Sequence, residues 1–430
     1  MRKRAQRKSK IPEDEHRNKL QKEISGTEKR KFSFNKKWWT AISLIGIFFL
    51  IIVLNTYFNV SSGSTINTEL QGLDQYYLSG PDPYYNMRLV DETLYGENAG
   101  QYPFYSEGDP LLNYPIGRSG SRAPLFNMMA IGFSRLLIPF MNEIDAIGYS
   151  MQFIPALFGA LLIFPIYFIG KTLFGKKEGL LAALLIALIP IHLSSGHGSA
   201  YTLFDHYSFN LLLFVTTFLF IIWSIKEKNL IKSLIYAALA GIPLAALTMT
   251  WVEAQYLYVI IAIYAIVQMI LDIFYNKQDL KIPISTTATL FIGYILSLPI
   301  LISKWGRTWF RLDIPLFICI FVAIFGLLYF IFDRKKLPWT ISLPFVGIVG
   351  IISVSFLFLI RNISTNVPLL SSLTKLSGIL FGTGIYGSKV SSTIAEAGTY
   401  SISRTVMSFG SVILDWFNRF YIFNLLLFKE

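Results

Sequence analysis

The chain has 430 residues, of which 53% are hydrophobic and only 15% charged, with a formal net charge of +12. Soluble domains carry about 25% charged residues, so this balance excludes an ordinary soluble globular protein and implies a membrane protein built from repeated apolar spans. The lone cysteine, Cys319, lies in an apolar run, which excludes disulfides and cysteine metal clusters.

Residues 1–37 hold 14 Lys/Arg against 5 Asp/Glu, most of the net charge, and no apolar core of their own. A disordered cytoplasmic tail is expected there. A basic segment directly ahead of a span reads as a topology signal with affinity for anionic lipid rather than as a nucleic-acid arm, so no nucleic-acid partner is expected. The tail is too long and too charged for a cleaved signal peptide. Apolar runs long enough to span follow near 38–60, 146–170, 178–196, 207–225, 231–250, 254–274, 283–303, 314–332 and 339–360. A shorter run, 123–140, contains Ser134 and Arg135 and is flanked by Arg122 and Glu143.

Counting 123–140 as a span would place Lys171, Lys176 and Lys177 outside. Leaving it out places them on the cytoplasmic side with the basic loops near 226–232, 277–281 and 334–336, as the positive-inside rule prefers. The cost is that Lys304, Arg307 and Arg311 lie outside. The segment 123–140 is therefore expected to be external or re-entrant and amphipathic. Two large external segments result, 61–145 and 361–417. Within the second, 404–419 reads as an interfacial helix, with Asp415 and Arg419 at i,i+4 spacing. Residues 38–430 are expected to form one all-α, polytopic membrane domain.

Three short acidic motifs then fall on one side of the bilayer. Gly80-Pro81-Asp82-Pro83-Tyr84-Tyr85-Asn86-Met87-Arg88 lies beyond the first span. Its flanking prolines restrict the backbone and suit a fixed carboxylate, although a solvated Pro-Asp turn explains Asp82 alone just as simply. Asp205 and His206, in Phe204-Asp205-His206-Tyr207, sit at the outer mouth of the fourth span. An aspartate capping the helix that starts near Tyr207, with His206 in an aromatic interface belt, is the competing structural reading. Thr393-Ile394-Ala395-Glu396 lies in a stretch poor in large apolar residues and also matches a capping box. Carboxylates converging from separate loops beside a bilayer would suit a hard divalent cation and an anionic lipid-linked substrate.

Taken in this order and on this side, the motifs resemble the oligosaccharyltransferase catalytic subunit family, in its archaeal dolichyl-phosphooligosaccharide–protein glycosyltransferase form. The resemblance runs from the first span to about Trp416. The Asp-Pro-Tyr-Tyr-Asn-Met-Arg stretch is similar to that family's first acidic motif, and Tyr114-Pro115, Gly117-Arg118 and Pro124-Leu125-Phe126 resemble the segment that follows. The Asp205 region looks like the second acidic motif, and Thr393-Ile394-Ala395-Glu396 matches Thr-Ile-x-Glu. Two departures stand out. Tyr207 occupies the position where the family has an acid or a histidine. The family's last spans and C-terminal soluble domain, with its Trp-Trp-Asp-Tyr-Gly motif, have no counterpart before Glu430, so a chain lacking that domain is expected.

The resemblance implies a GT-C type transmembrane fold in the cell membrane, with the N-terminus cytoplasmic and the active site on the external face. It implies an inverting, metal-dependent transfer of an oligosaccharide from a dolichyl phosphate or diphosphate carrier to Asn in Asn-x-Ser/Thr. Asp82 and Glu396 would be catalytic. Asp82, Asp205, His206 and Glu396 would hold Mn²⁺ or Mg²⁺, and Arg404 would touch a phosphate or the acceptor peptide. The partners implied are the lipid-linked oligosaccharide, an acceptor polypeptide and the bilayer. Another lipid-linked glycosyltransferase would share the acidic first loop without Thr-Ile-x-Glu. A transporter would carry polar residues in mid-span. A non-catalytic or truncated paralogue is the third alternative.

Overall fold

The structure is a computed structural model, and it describes residues 36–58, 78–104, 109, 111, 122–188, 199–251, 254–275, 279–305 and 314–348. The described elements are helices: α1 Lys36–Val53, α2 Pro81–Tyr95, α3 Leu125–Leu137, α4 Glu143–Leu161, α5 Ile163–Leu173, α6 Lys176–Leu188, α7 Tyr207–Lys226, α8 Leu230–Thr248, α9 Gln255–Phe274, α10 Lys281–Trp305, α11 Ile314–Lys335 and α12 Trp339–Ile348. Among the described residues, 7 helices are long and apolar enough to cross a membrane. They answer to the expected runs near 38–60, 146–170, 207–225, 231–250, 254–274, 283–303 and 314–332. The runs 178–196 and 339–360 are helical over 176–188 and 339–348. Their remainders, the tail 1–35, the whole segment 361–417 with Glu396 and Arg404, and everything after it lie outside the described residues.

The described residues of the segment 61–145 are largely helical. They include α2 and α3, and the start of α4. α3 has 13 residues, about 20 Å of helix, too short for a hydrocarbon core of roughly 30 Å. Phe126, Asn127, Ala130 and Ser134 form its buried face, while Met129 and Leu136 are exposed. This is the amphipathic segment expected from Ser134 and Arg135. α4 and α5 continue one another as Glu143–Leu173 with a turn at Leu162. Pro165 explains the turn, because it cannot donate to the carbonyl four residues back.

Small residues let the backbones close up. A Cβ on Gly241 of α8 would lie 2.6 Å from Ile292 Cγ2 of α10, and one on Gly170 of α5 would lie 2.8 Å from Gly179 Cα of α6. The core runs from Val90, Phe126 and Phe204 through Leu244, Tyr258 and Leu290 to Val322 and Tyr329. The lysine-bearing ends of the helices meet at one end of this bundle. Lys226 Nζ donates to Thr172 O at 2.9 Å, and Lys281 Nζ donates to Glu227 O at 2.9 Å. The opposite end, about 30 Å away along α7, gathers the start of α2, the loop 199–206 and the start of α3, which is tied to α8 by Leu125 N donating to Met249 O at 3.0 Å.

Candidate functional site

The site begins at the N-terminus of α2. Gly80 turns the chain with φ +96°, a conformation L side chains rarely adopt, although a Cβ there would meet nothing closer than Pro83 Cδ at 3.8 Å. Pro81 starts the helix and Pro83 follows within its first turn, where the N–H groups have no intrahelical acceptor. Pro-Asp-Pro is therefore a helix start and not the solvated turn it also resembles. Asp82 sits in that first turn, at the positive end of the helix, with its side chain 54% exposed.

The loop before α7 is pinned from three sides. Ser79 N donates to Thr202 O at 3.0 Å, Tyr201 N to Asn55 O at 3.0 Å, and Thr202 N to Gln152 O at 2.9 Å. Asn86, one turn along α2 from Asp82, donates from Nδ2 to Phe204 O at 2.9 Å. Phe204 is fully buried against Phe126, with ring centroids 4.9 Å apart. Two successive tight turns, Phe204 N to Thr202 O and Asp205 N to Leu203 O, then aim Asp205 inward, where it is only 3% exposed. Asp205 does not cap α7. His206 occupies the cap position and no side chain bonds the first turn. Asp205 Oδ1 instead accepts from His206 Nδ1 at 2.5 Å and from His206 N at 2.7 Å. Burial by itself would raise the Asp205 carboxyl, but the hydrogen bond and charge of His206 and the charge of Arg122 outweigh it and hold the pKa below the usual carboxylate value. His206 stacks on Tyr207 at 5.1 Å and leaves Nε2 buried with no hydrogen-bond partner.

Asp82 and Asp205 meet at Arg122, immediately ahead of α3. Arg122 Nη2 lies 2.6 Å from Asp82 Oδ1, and Nη1 lies 3.3 Å from Asp205 Oδ1 and 3.4 Å from Asn86 Oδ1. Its guanidinium stands 5.4 Å from the centre of the Tyr85 ring. A second pair buttresses this one along α2. Arg88 forms an ion pair with Asp109, whose side chain is fully buried and which also accepts from Tyr85 OH at 3.2 Å. Burial, followed by the charge and hydrogen bond of Asp109, pushes the Tyr85 phenol up to about 12, so it remains a donor. Neither Arg122 nor Asp109 was singled out as a site residue by sequence reasoning. For Asp109 the available signal was the proline after it, as for Asp82, whereas Arg122 is one of four arginines in 61–145 and carries no local mark.

Among the described residues, no group of three or more His, Cys, Asp or Glu side chains is placed to hold a metal ion. The donor chemistry nevertheless suits a hard cation. Asp82 and Asp205 share the Arg122 guanidinium, and the His206 imidazole, bonded to Asp205 through Nδ1, retains an unpartnered Nε2. Arg122 thus links Asp82 to Asp205, and His206 bonds Asp205.

A family model described as oligosaccharyl transferase STT3, N-terminal, matches residues 44–414. Among curated proteins, the chain is 25% identical over 261 residues to dolichyl-phosphooligosaccharide-protein glycotransferase 2 of Archaeoglobus fulgidus, covering 57% of this chain and 39% of that one. It is 29% identical over 272 residues to the dolichyl-phosphooligosaccharide-protein glycotransferase of Methanococcus voltae, covering 57% and 28%. Among solved structures, the archaeal oligosaccharyltransferase AglB from Archaeoglobus fulgidus, in complex with an inhibitory peptide and a dolichol-phosphate, superposes with a TM-score of 0.67 at 19% identity, over 88% of this chain and 44% of that one. A complex of an Archaeoglobus fulgidus oligosaccharyltransferase with Zn and sulfate gives a TM-score of 0.61 at 19% identity, over 79% and 42%. The chain spans less than half the length of each of these relatives.

Proposed function

The chain belongs to the oligosaccharyl transferase STT3 family, as a multi-pass membrane protein with the GT-C fold, and from that premise we propose that it takes part in transfer of an oligosaccharide from a dolichyl phosphate or diphosphate carrier to Asn in Asn-x-Ser/Thr. The observation that carries the reading is the meeting of Asp82 and Asp205, from segments far apart in sequence, around one guanidinium at the end of the bundle opposite the lysine contacts. On the positive-inside rule, that end is external and the basic N-terminal tail cytoplasmic.

The acceptor amide is a poor nucleophile because its lone pair is delocalised into the carbonyl. In the proposed mechanism, Asp82 and Glu396 accept hydrogen bonds from the amide N–H groups and hold the nitrogen for attack. The exposed Asp82 carboxylate at the site's mouth is accessible to such a substrate. Buried Asp205, kept ionised by His206 and Arg122, supplies fixed negative charge behind it. Asp82, Asp205, His206 and Glu396 would hold Mn²⁺ or Mg²⁺, which when bound would neutralise charge on the leaving phosphate. Arg404 is assigned to the phosphate or the peptide. Attack opposite the leaving phosphate inverts the anomeric centre.

The test is transfer of a lipid-linked oligosaccharide to an Asn-x-Thr peptide, measured in membranes with and without EDTA. Asp82→Ala and Glu396→Ala should each reduce transfer at least about a hundredfold in protein that still inserts and melts cooperatively. Unchanged turnover in either variant would overturn that residue's role.

A further inference from the structure

The Arg122 side chain bridges two of the carboxylates that the proposed metal reading needs. Its two terminal nitrogens divide between the two carboxylates, Nη2 on Asp82 and Nη1 on Asp205, so one guanidinium spans the pair. A planar fork suits that task, because it offers two donors at fixed separation and is always charged. The pair needs such a partner. Asp205 is almost fully buried and already bonded by His206, and the half-exposed Asp82 carboxylate beside it adds negative charge that the guanidinium offsets.

The contacts of Arg122 are not those of a purely structural arginine. Its side chain is 24% exposed, and its remaining contacts are a long hydrogen bond to Asn86 Oδ1 at 3.4 Å and the Tyr85 face at 5.4 Å. Arg88, by contrast, is locked to fully buried Asp109 and to Glu92 on its own helix. The two arginine side chains are equally exposed, at 24% and 25%, and what differs is the partner: the shorter contact of Arg122 is to half-exposed Asp82, whereas Arg88 is paired to fully buried Asp109.

Resting on the reading that Asp82 and Asp205 bind a divalent cation, we propose that Arg122 is a tethered counter-cation. It holds the two aspartates together when no metal is bound and competes with the metal for them. The same oxygens cannot serve both partners at full strength, so the ion that enters displaces the guanidinium from Asp82 Oδ1 and Asp205 Oδ1. The released guanidinium remains beside the site on its tether, where the chemistry that suits it is a phosphate of the lipid-linked donor.

Mn²⁺ binding to the purified full chain, freed of divalent ions with EDTA and followed through the electron paramagnetic resonance of free Mn²⁺, tests this. Arg122→Gln removes the charge at similar length, and Arg122→Lys keeps a point charge that cannot fork across two carboxylates. Arg122→Gln should bind Mn²⁺ about tenfold more tightly than the unaltered chain, as expected if the counter-ion state occupies about nine molecules in ten, with Arg122→Lys between them. In EDTA, Arg122→Gln should melt at a lower temperature, and saturating Mn²⁺ should narrow the gap. If Arg122→Gln fails to fold, tighter binding by Arg122→Lys supports the proposal. Equal or weaker binding in the folded variants overturns it, as does the absence of Mn²⁺ binding in all three proteins. Peptide transfer by Asp82→Ala reports separately on the proposed function, so the two readings can fail independently.

Discussion

The two ends of α7 solve the same problem in different ways. At its C-terminal end, polar groups are satisfied redundantly. Ser224 donates to Ser233 O at 2.7 Å and lies 2.8 Å from Ser285 Oγ, Ser233 donates back to Ser224 O at 2.8 Å, and Lys226 and Lys281 rest on backbone carbonyls. At its N-terminal end, one guanidinium serves two carboxylates, and His206 Nε2 is buried with nothing to bond. The first end ties α5, α7, α8 and α10 together, and its atoms need no outside partner. The second end shares one guanidinium between two acids and leaves a buried ring nitrogen without a hydrogen-bond partner, an arrangement more typical of functional sites than of scaffold.

The sharpest way to break this contrast is to remove one carboxylate from the N-terminal end and one ammonium from the other. Asp205→Asn keeps the shape and the contact with Arg122 but loses the charge. It should lower oligosaccharide transfer about a hundredfold to a thousandfold, whereas Lys226→Ala should leave transfer per folded molecule unchanged. Comparable losses in both variants would mean that the two ends are not specialised.

A smaller effect should appear in the dependence of stability on pH. The Asp205 carboxyl is held below its ordinary value in the folded protein, by the His206 hydrogen bond and the charges of His206 and Arg122 acting against burial. A group lowered on folding contributes stability that is complete above its unfolded pKa of about 3.9 and is lost as pH falls through the folded value. Thermal melts in EDTA should therefore show an acid limb that begins near pH 4 and is shallower in Asp205→Asn. An identical limb in the variant would mean that the ion cluster contributes nothing to holding the N-terminal end together.

The contrast between the ends was only half legible in the sequence. Long apolar runs and clustered lysines give the helices and the basic end, because burial in a bilayer and the positive-inside bias act on composition, which is local. The short helix α3 was legible for the same reason, from Ser134 and Arg135 within an apolar stretch. Asp82, Asp205 and His206 were picked out through motif resemblance, yet the helical setting of Asp82 was hidden because Pro-Asp-Pro suits a turn as well as a first helical turn. Arg122 shows what local reading misses. Nothing in its neighbours distinguishes it from a flanking charge, and its role appears only when α2 and the loop before α7 are brought to it through Asn86–Phe204 and Ser79–Thr202.

The smallest effect sharpens the comparison most. Ser285→Ala removes one hydroxyl from the serine cluster between α7, α8 and α10, where Ser285 Oγ lies 2.8 Å from Ser224 Oγ and 3.1 Å from Ser233 Oγ. Hydrogen bonds between membrane helices are worth about 0.6 kcal/mol on average, and here both remaining serines keep backbone carbonyls as acceptors. A loss near that average, measured by denaturant unfolding in detergent, is expected, with transfer unaffected. At the other end one guanidinium bridges Asp82 to Asp205, so a similarly conservative change at Arg122 should register in metal affinity as well as in stability. A loss of several kcal/mol from Ser285→Ala would mean that the basic end is as finely balanced as the acidic one, and that redundancy of partners does not separate scaffold from site in this molecule.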